Sequence, residues 1–483
     1  MESTSQSDQE THRAIVLGQD GNEVLLALTE GGFFLPWVQI PRGHRVAEKL
    51  TAAMRKRWGL DIVCLFSPNV DGPLGSPSRP YQVVEFYGLS AKSALPMQWV
   101  RVASLSPRTF ADAAEYIAVQ RSLAEYTRPS DDRVTQGPFA KLGWFRELQR
   151  WIENMVGPVG LHLTGHFAQL NASPTFSLVR FETTGAAVWF KAVGSPNVRE
   201  FPLTLALTRL LPKYLPRILA TRPECNGWLA LEARGVNLYD AHEGQPWNIA
   251  ASSLAKLQIE STEMSGLLME SGARDLRTPA LLRLIPAFLS AMGHLMEMQT
   301  KTLPSVLARS ELTFLGEQIA EGLSLSTKSG MPDGLGHLDL NPGNVMVSAG
   351  HTVFLDWADA YVGNPLFSLR YLAQHCRRVA GGKAATEFGL TDAYRDQWKP
   401  LVSPESFTEA LAVAPLLAVF AYALASDAWN DPARLQEPGV AGYLTSLTRR
   451  MHHEATRLKD RRVLCPIYTY SNRRFDQPRG VPV

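Results

Sequence analysis

The sequence contains few cysteines and no excess of either charge. Its cysteines are Cys64, Cys225, Cys376 and Cys465, and no two of them have Cys-x-x-Cys spacing. This argues against a zinc site or a disulfide framework and predicts a reducing, cytoplasmic environment. The 48 Lys and Arg residues nearly balance the 46 Asp and Glu residues. The charge therefore does not point to a polyelectrolyte partner, and we expect no nucleic acid to bind.

Other absences bear on localisation and architecture. Residues 1–11 are polar and lack the apolar core of a signal peptide, so we expect no secretion signal. Residues 409–427 are nearly long enough to span a bilayer. They contain Pro415 and follow a complete predicted soluble lobe, so we predict a pair of core helices and no membrane association. A chain of 483 residues predicts two or three domains.

The strongest functional signal is GHLDLNPGNVMV, followed a few residues later by VFLDW. Asp339 and Asn344 precede one short apolar strand, and Asp356 ends the next. This layout suits phosphoryl transfer, in which the protein mainly positions the reactants and offsets charge. A carboxylate at Asp339 would accept the proton of an acceptor hydroxyl. Oxygen atoms from Asn344 and Asp356 are the hard ligands that Mg²⁺ prefers.

These motifs resemble those of the aminoglycoside phosphotransferase and choline kinase superfamily. Its members carry His-Gly-Asp-x-x-x-x-Asn and a later Ile-Asp-Trp, which here read HLDLNPGN and LDW. The resemblance implies an α+β, bilobal protein-kinase-like fold with a small β-rich lobe and a large helical lobe. It implies transfer of the γ-phosphoryl group from ATP, with Mg²⁺, to a hydroxyl of a small molecule. Asp339 is then the catalytic base, and Asn344 and Asp356 are the metal ligands.

One alternative is that His337, Asp339 and Asn344 merely cap and turn a loop. For the set, the presence of two motifs in the right order argues against it. For His337 alone a structural role is favoured, because this position in related kinases supports the loop by hydrogen bonds. The chain also departs from the family, since Asn364 and Ser368 replace two acids that help to pin the following loop and helix.

The upstream half supplies a predicted ATP-binding lobe. Residues 175–180 and 187–193 read as two strands. The second contains Lys191, which needs partners because burying a lone ammonium is costly. The kinase pattern supplies the ATP phosphates and a Glu on the next helix, here Glu200 in a helix over residues 200–211. The alternative is a Lys on an edge strand and a solvated Glu.

Two further parts of the nucleotide site carry weaker signals. Residues 170–176 are expected to form a phosphate-covering loop, although they contain no GxGxxG. Backbone N–H groups near Ser173 and Thr175 are predicted to approach phosphate, with an ordinary turn as the alternative. The next apolar strand ends at Glu232 and Ala233, where backbone groups are predicted to bind adenine.

Residues 13–128 resemble a Nudix domain in their order of elements, which includes a helix over Val46–Trp58 and a Gly-Leu-Asp exit. A working Nudix box needs a Glu pair just before that exit, and Lys56 and Arg57 occupy those places. Because two cations cannot ligate a metal, we predict a degenerate α/β domain with no hydrolase activity. A binding, packing or regulatory role is expected, which includes binding of a protein partner.

The predicted organisation has six parts. They are a disordered tail (1–12), the Nudix-like domain (13–128), a linker and bridging helix (129–158), a kinase-like small lobe (159–235), a large lobe (236–456) and a C-terminal tail (457–483). Helices within residues 240–330 are expected to line the acceptor site. The tail is basic and aromatic, and we expect it to dock or fray rather than to bind nucleic acid.

The sequence thus predicts an ATP-dependent small-molecule O-phosphotransferase. One rival is a nucleotide-binding sensor or scaffold without turnover. Intact Asp339, Asn344, Asp356 and Lys191 argue against it, since a protein without turnover has no chemical need for all four. A second rival, Nudix-type hydrolysis, is disfavoured by the two cations in the helix.

Overall fold

The computed structural model describes residues 9–42, 45–68, 80–89, 96–127, 138–379 and 384–464. The chain divides into two compact units. The first unit combines residues 1–234 with 353–358, and the second combines 235–352 with 359–483. Strands dominate the first unit and helices the second, which confirms the predicted α+β class.

The first unit contains twelve complete strands and four α-helices among its described residues. The strands are β1 (Gln9–Leu17), β2 (Glu23–Thr29), β3 (Gly32–Phe34), β4 (Trp37–Pro41), β5 (Leu60–Phe66), β6 (Tyr81–Leu89), β7 (Met97–Arg101), β8 (Leu163–Ser173), β9 (Phe176–Thr183), β10 (Val188–Val193), β11 (Ile218–Arg222) and β12 (Gly227–Leu231). The helices are α1 (Val46–Trp58), α2 (Ala113–Thr127), α3 (Trp144–Val156) and α4 (Glu200–Leu210).

The first seven strands form one mixed sheet in the order β3-β2-β1-β6-β5, with β4 paired to β1 and β7 paired to β2. Strands β1 and β2 form a hairpin across Asp20-Gly21-Asn22, since Val16 pairs with Leu25. Helix α1 has its predicted bounds. The prediction that the disordered tail extends to residue 12 is wrong. Strand β1 begins at Gln9, because residues 9–12 pair with β4 through partners such as Glu10 and Ile40.

The basic end of α1 packs on aromatic and acidic neighbours. The guanidinium carbon of Arg57 lies 3.6 Å from the ring centroid of Trp37, which is cation–π geometry. Arg55 pairs with Asp61 at 2.5 Å. These contacts explain why cations are stable in this part of the domain. The Nudix-like identity of the domain stays a prediction.

The second sheet of this unit is antiparallel, with the order β11-β12-β10-β9-β8. Its central strands β9 and β10 are the two predicted upstream strands. The prediction of a loop over residues 170–176 is wrong in part. Residues 170–173 belong to β8, because Ala172 pairs with Ser177 and Ser173 with Phe176. The turn is therefore the narrow tip of a β-hairpin.

One hydrophobic core joins the two sheets of the first unit. Helix α3 lies in it with a strongly apolar face, and Phe145 stacks on Phe181 with ring centroids 5.6 Å apart. Phe145 also contacts Tyr87 of β6 edge-on at 5.6 Å. The bridging segment predicted from the sequence thus contributes to a shared core. Predicted linker residues 129–137 lie outside the described residues.

The second unit contains nine α-helices and the remaining strands among its described residues; β17 crosses the boundary between the units. The helices are α5 (Gly244–Ser261), α6 (Ser265–Glu270), α7 (Thr278–Glu297), α8 (Arg309–Lys328), α9 (Leu366–Val379), α10 (Ala384–Trp398), α11 (Pro404–Ala425), α12 (Pro432–Leu435) and α13 (Pro438–Leu464). The strands are β13 (Val236–Asn237), β14 (Arg274–Leu276), β15 (Gly334–His337), β16 (Val345–Ser348), β17 (His351–Phe354) and β18 (Ala360–Gly363).

A second core is built mainly from α7, α8, α11 and α13. Two predictions are corrected here. The apolar stretch around Pro415 is one helix, α11, because it is apolar all round and its neighbours bury it. Helix α13 continues to Leu464, past the predicted start of the tail at residue 457; residues 465–483 lie outside the described residues.

Two helices of the described residues are long and apolar enough to cross a membrane by length and composition. They are α7 and α11, and 39% and 67% of their most apolar windows are buried in the protein. Core helices of soluble proteins pass the same test, so this is weak evidence for a membrane span.

Candidate functional site

Asp339 lies in a short loop between β15 and β16, and hydrogen bonds orient its carboxylate. Oδ1 accepts a bond from Nδ2 of Asn341 at 3.1 Å, and Oδ2 accepts one from Nδ2 of Asn344 at 3.2 Å. Asn344 also donates to the backbone carbonyl of Asp339 at 2.9 Å. The loop turns because Oδ1 of Asn341 caps the N–H of Gly343 at 2.9 Å, at the start of a 3₁₀ turn. The structure thus brings Asp339 and Asn344 together.

His337 supports this loop and is completely buried. Its Nδ1 accepts a hydrogen bond from the backbone N–H of Asp339 at 3.1 Å. The backbone N–H of His337 donates to the hydroxyl of Ser368 at 2.8 Å. The predicted supporting role is therefore confirmed.

Ser368 and Asn364, the two departures from the family pattern, hold the same region with uncharged groups. Besides accepting from His337, the Ser368 hydroxyl lies 3.1 Å from the hydroxyl of Tyr361. Nδ2 of Asn364 donates to the hydroxyl of Ser326 at 2.6 Å, and its Oδ1 accepts from the N–H of Leu366 at 2.8 Å. The replacements therefore preserve a fully connected buried network, which needs no charge to be paired.

Lys191 lies in the middle of β10, on the face opposite the shared core. The flanking Phe190 and Ala192 point into that core, as the alternation of a strand requires. Nζ of Lys191 lies 2.5 Å from the carboxylate of Glu200 and 2.8 Å from that of Asp356. The predicted ion pair with Glu200 is present. The sequence does not predict the contact between Lys191 and Asp356, because the motif that contains Asp356 indicates only a metal ligand.

The Lys191 cluster is buried, and burial sets its electrostatics. Burial by itself lowers the pKa of Lys191, but the carboxylates of Asp356 and Glu200 outweigh it, so the pKa lies above its ordinary value. Burial raises the pKa of Glu200 to about 7, against the opposing effect of Lys191. Lys191 is therefore a fixed cation, and Glu200 is an acid that titrates near neutrality.

Asp356 combines an unusual backbone with an accessible side chain. Its φ is 63°, in the left-handed region that few residues other than glycine adopt. Its side chain is 41% exposed, whereas those of Lys191 and Glu200 are 10% and 1% exposed. Non-glycine residues held in this region often mark functional sites. Asp356 thus offers a carboxylate to solvent while it remains paired with Lys191.

The other predicted nucleotide-binding residues lie at the ends of strands in the sheet that contains Lys191: Ser173 ends β8, Thr175 lies in the turn before β9, and Glu232 and Ala233 follow β12. At the hairpin tip, the N–H of Thr175 donates to the hydroxyl of Ser173 at 3.3 Å. The Glu232 N–H donates to the carbonyl of Ala187 at 2.9 Å. The backbone N–H of Glu232 is therefore already used, so adenine binding at Glu232 would have to use its carbonyl group. For Ala233 the prediction likewise concerns the backbone groups.

The described residues contain no group of three or more His, Cys, Asp or Glu side chains that could hold a metal ion. The donor set fits Mg²⁺ nonetheless, since that ion is usually held by one or two protein ligands together with substrate phosphates and water. Asn344 uses its amide nitrogen to bind Asp339, so its amide oxygen is the atom that would contact a metal. Asp356 supplies a carboxylate. Asn344 and Asp356 belong to different compact units.

An aromatic cluster that the sequence did not reveal lies on α9, α11 and α13. Tyr371 follows Ser368 on the same face of α9, and its ring stacks on Tyr422 with centroids 5.6 Å apart. Tyr422 contacts Tyr443 edge-on at 6.4 Å. Burial raises the pKa of Tyr371 to about 12, and the Asp339 carboxylate adds to this effect. The Asp339 carboxylate acts in the same direction on the pKa of Tyr422. The members of the cluster share no local motif.

Comparison with known proteins gives a family match for part of the chain. Residues 269–401 match the phosphotransferase enzyme family called APH. This segment is less than half of the chain and contains Asp339, Asn344 and Asp356 but neither Lys191 nor Glu200. The match supports a phosphotransferase without identifying its substrate. No curated protein sequence matches the chain.

Several solved structures show partial similarity. A choline/ethanolamine kinase family protein from Mesorhizobium loti is 16% identical, with 64% of this chain and 98% of that chain covered and a TM-score of 0.41. A macrolide 2'-phosphotransferase from Brachybacterium faecium is 17% identical, with coverage of 61% and 97% and a TM-score of 0.38. A choline kinase from Cryptosporidium parvum is 12% identical, with coverage of 66% and 97% and a TM-score of 0.44. Scores of this size describe a distant likeness and identify no activity.

Proposed function

We propose that this protein transfers the γ-phosphoryl group of ATP to a hydroxyl of a small molecule. Asp339 accepts the hydroxyl proton, Asn344 and Asp356 bind Mg²⁺, and Lys191 binds the nucleotide phosphates. Bound Mg²⁺ would offset the charge of the phosphates. Ser173 and Thr175 of the hairpin tip approach the phosphates, and Glu232 with Ala233 binds adenine.

The observation that carries the proposal is the placement of Lys191 between Glu200 and Asp356. In kinases, phosphoryl transfer requires a lysine paired with a helix glutamate and an aspartate that binds Mg²⁺; here one buried lysine contacts both candidate acids. The orientation of Asp339 by two asparagines supports its role as base, because each amide group donates a hydrogen bond that fixes one carboxylate oxygen in place. The family match over residues 269–401 supports the same reaction class.

We infer that the acceptor binds next to Tyr371, Tyr422 and Tyr443, which lie on α9, α11 and α13 and not on the helices of residues 240–330 that the sequence favoured. Tyr443 is 47% exposed, and Tyr371 lies one turn of α9 after Ser368, which accepts a hydrogen bond from His337 beside the proposed base. Aromatic faces with a hydroxyl edge bind ring-bearing or cationic alcohols well. A Tyr371→Ala variant should raise the KM for the acceptor and leave the affinity for ATP unchanged. Equal loss of affinity for both substrates would contradict this assignment.

The first test is thermal unfolding of the wild type with ATP, with and without Mg²⁺. A ligand at 100 times its Kd stabilises by about 2.7 kcal/mol. Screening of alcohol acceptors for ADP release would then follow, with Asp339→Asn as control. This variant should keep the ATP-induced stabilisation and lose turnover by at least about 100-fold, because only the proton acceptor is removed. Absence of any nucleotide effect in the wild type would refute the proposal.

The rival function is a nucleotide-binding scaffold without turnover. It would show the same Mg²⁺-dependent stabilisation by ATP but no acceptor-dependent ADP release with any alcohol. The oriented Asp339 carboxylate favours the enzyme, since a scaffold has no use for a positioned base. Protein capture by the first domain, in the absence of turnover, would favour the scaffold.

A further inference from the structure

The first domain (residues 9–127) holds the β8–β9 hairpin through a side-chain amide. Oε1 of Gln169, in β8, accepts a hydrogen bond from the backbone N–H of Cys64 at 2.8 Å. Nε2 of Gln169 donates one to the carbonyl of Cys64 at 3.0 Å. Gln169 is 1% exposed and Cys64 is fully buried. Because a primary amide offers the same donor and acceptor as a peptide group, Gln169 pairs with Cys64 as a neighbouring strand would.

The backbone on both sides of this contact is irregular. Cys64 lies in β5, at the end of the strand order of its sheet, where outward backbone groups need a partner. The register of β8 shifts between Gln169 and Asn171, and that of β5 shifts between Cys64 and Phe66. Such bulges re-aim side chains and are retained features of a fold. Here the two bulges place the side-chain amide of Gln169 against the backbone N–H and carbonyl of Cys64.

Further contacts fix the hairpin tip and connect it to Lys191. Ala172, beside the tip, packs against the first-domain core that contains α1. The carbonyl of Thr175 accepts a hydrogen bond from the N–H of Gly194 at 2.6 Å. A Cβ on Gly194 would come within 2.8 Å of Thr175, so this approach requires glycine. The ring centroid of Phe176 lies 5.8 Å from Nζ of Lys191. The tip is therefore fixed close to the lysine.

We propose that the first domain is a built-in clamp that fixes the hairpin tip for nucleotide phosphates, with Gln169 as the positioning residue. This inference rests on the proposed function. A tip that is ordered during folding need not be ordered again on binding, so the clamp increases nucleotide affinity by preorganisation. Gln169 touches no reacting atom. Loosening it should therefore raise the KM for ATP and leave kcat nearly unchanged.

The test compares nucleotide binding by Gln169→Met and the wild type. Methionine keeps the length of the side chain but makes neither hydrogen bond. We expect the Kd for ATP with Mg²⁺, measured by calorimetry well below the unfolding transition, to rise about tenfold. Gln169→Asn keeps the amide but shortens its reach, and should weaken binding in the same direction. Gln169→Asn replaces Gln169→Met as the test variant if the methionine variant does not fold.

The matched control is Glu115→Gln, also in the first domain. Glu115 is buried, accepts from the N–H of Leu35 at 2.7 Å and pairs with Arg13 at 2.9 Å, all within that domain. The Glu115→Gln variant should have a lower free energy of unfolding than the wild type and an unchanged Kd for ATP. Equal weakening by this control, or unchanged affinity in the folded Gln169 variants, would overturn the clamp and leave the proposed function standing. A wild type that binds neither ATP nor ADP would refute both.

Discussion

The ammonium nitrogen of Lys191 lies 2.8 Å from Oδ1 of Asp356, although 165 positions separate the two residues in the chain. Asp356 makes this contact from a left-handed backbone, with φ of 63°. The same carboxylate is the proposed metal ligand. Charge at Asp356 and backbone conformation at Asp356 can therefore be tested separately.

Replacement of Asp356 by asparagine should remove the charge and keep the backbone. Asparagine adopts the left-handed conformation with little strain, so the Asp356→Asn variant should fold. It should lose the Mg²⁺-dependent part of the stabilisation by ATP, measured by thermal unfolding. Persistence of that part in a folded variant would contradict the assignment of Asp356 to Mg²⁺.

Alanine at Asp356 tests the backbone. It removes the same charge but is strained at positive φ, so Asp356→Ala should unfold more easily than Asp356→Asn by about 1 kcal/mol. Denaturant unfolding of the two variants measures this difference. Equal stability would show that the left-handed conformation costs nothing at this position.

Removal of Lys191 should destabilise the fold through the acid that it leaves behind. In Lys191→Met the buried Glu200 carboxylate loses its partner, and breaking a buried pair costs about 3 kcal/mol or more at alkaline pH. The double variant with Glu200→Gln should recover at least half of that loss, because no lone charge remains. Additive losses in the double-mutant cycle would argue that the pair is not energetically coupled.

Glu200 should make stability depend on pH. Burial raises its pKa from 4.5 to about 7 in the folded protein. The folded state therefore binds this proton more tightly than the unfolded state does. The resulting stabilisation is complete below about pH 4.5 and is lost as the pH rises to about 7, with a total of at most about 3 kcal/mol.

The matched variant for this dependence is Glu200→Gln, which keeps the shape and cannot titrate. The difference in unfolding free energy, wild type minus variant, should fall between about pH 4.5 and 7 and stay flat above that range. A difference that rises with pH in this window would show that Lys191 lowers the pKa of Glu200 by more than burial raises it.

Gly336, just before His337, should tolerate no side chain. A Cβ at this position would overlap the ring of Tyr361. That ring cannot move freely, because its hydroxyl donates to the carbonyl of Asn364 at 2.9 Å. Gly336→Ala should therefore cost about 3 kcal/mol or more of unfolding free energy. Gly266→Ala is the control, since no atom would lie within 4 Å of its Cβ, and it should be neutral or gain up to about 1 kcal/mol.

The local features of this protein can be read from its amino-acid sequence alone. The bounds of α1 and the hairpin of β1 and β2 follow from periodicity and turn residues. The pair Lys191–Glu200 follows from the resemblance of a short strand and the next helix to the kinase pattern. These signals act over a few residues, so a single chain displays them. The loop that carries Asp339 is likewise fixed by neighbours within five positions, such as Asn344.

Contacts between distant segments of the chain depend on how the elements pack in three dimensions. Nothing near Gln169 indicates that its amide binds Cys64, 105 positions earlier. The stacking of Tyr371 on Tyr422 depends on how two helices pack. Apolar residues specify that a face is buried but not which face it meets, because hydrophobic burial has no direction. Packing therefore decided that the first domain and the Lys191 sheet share one core.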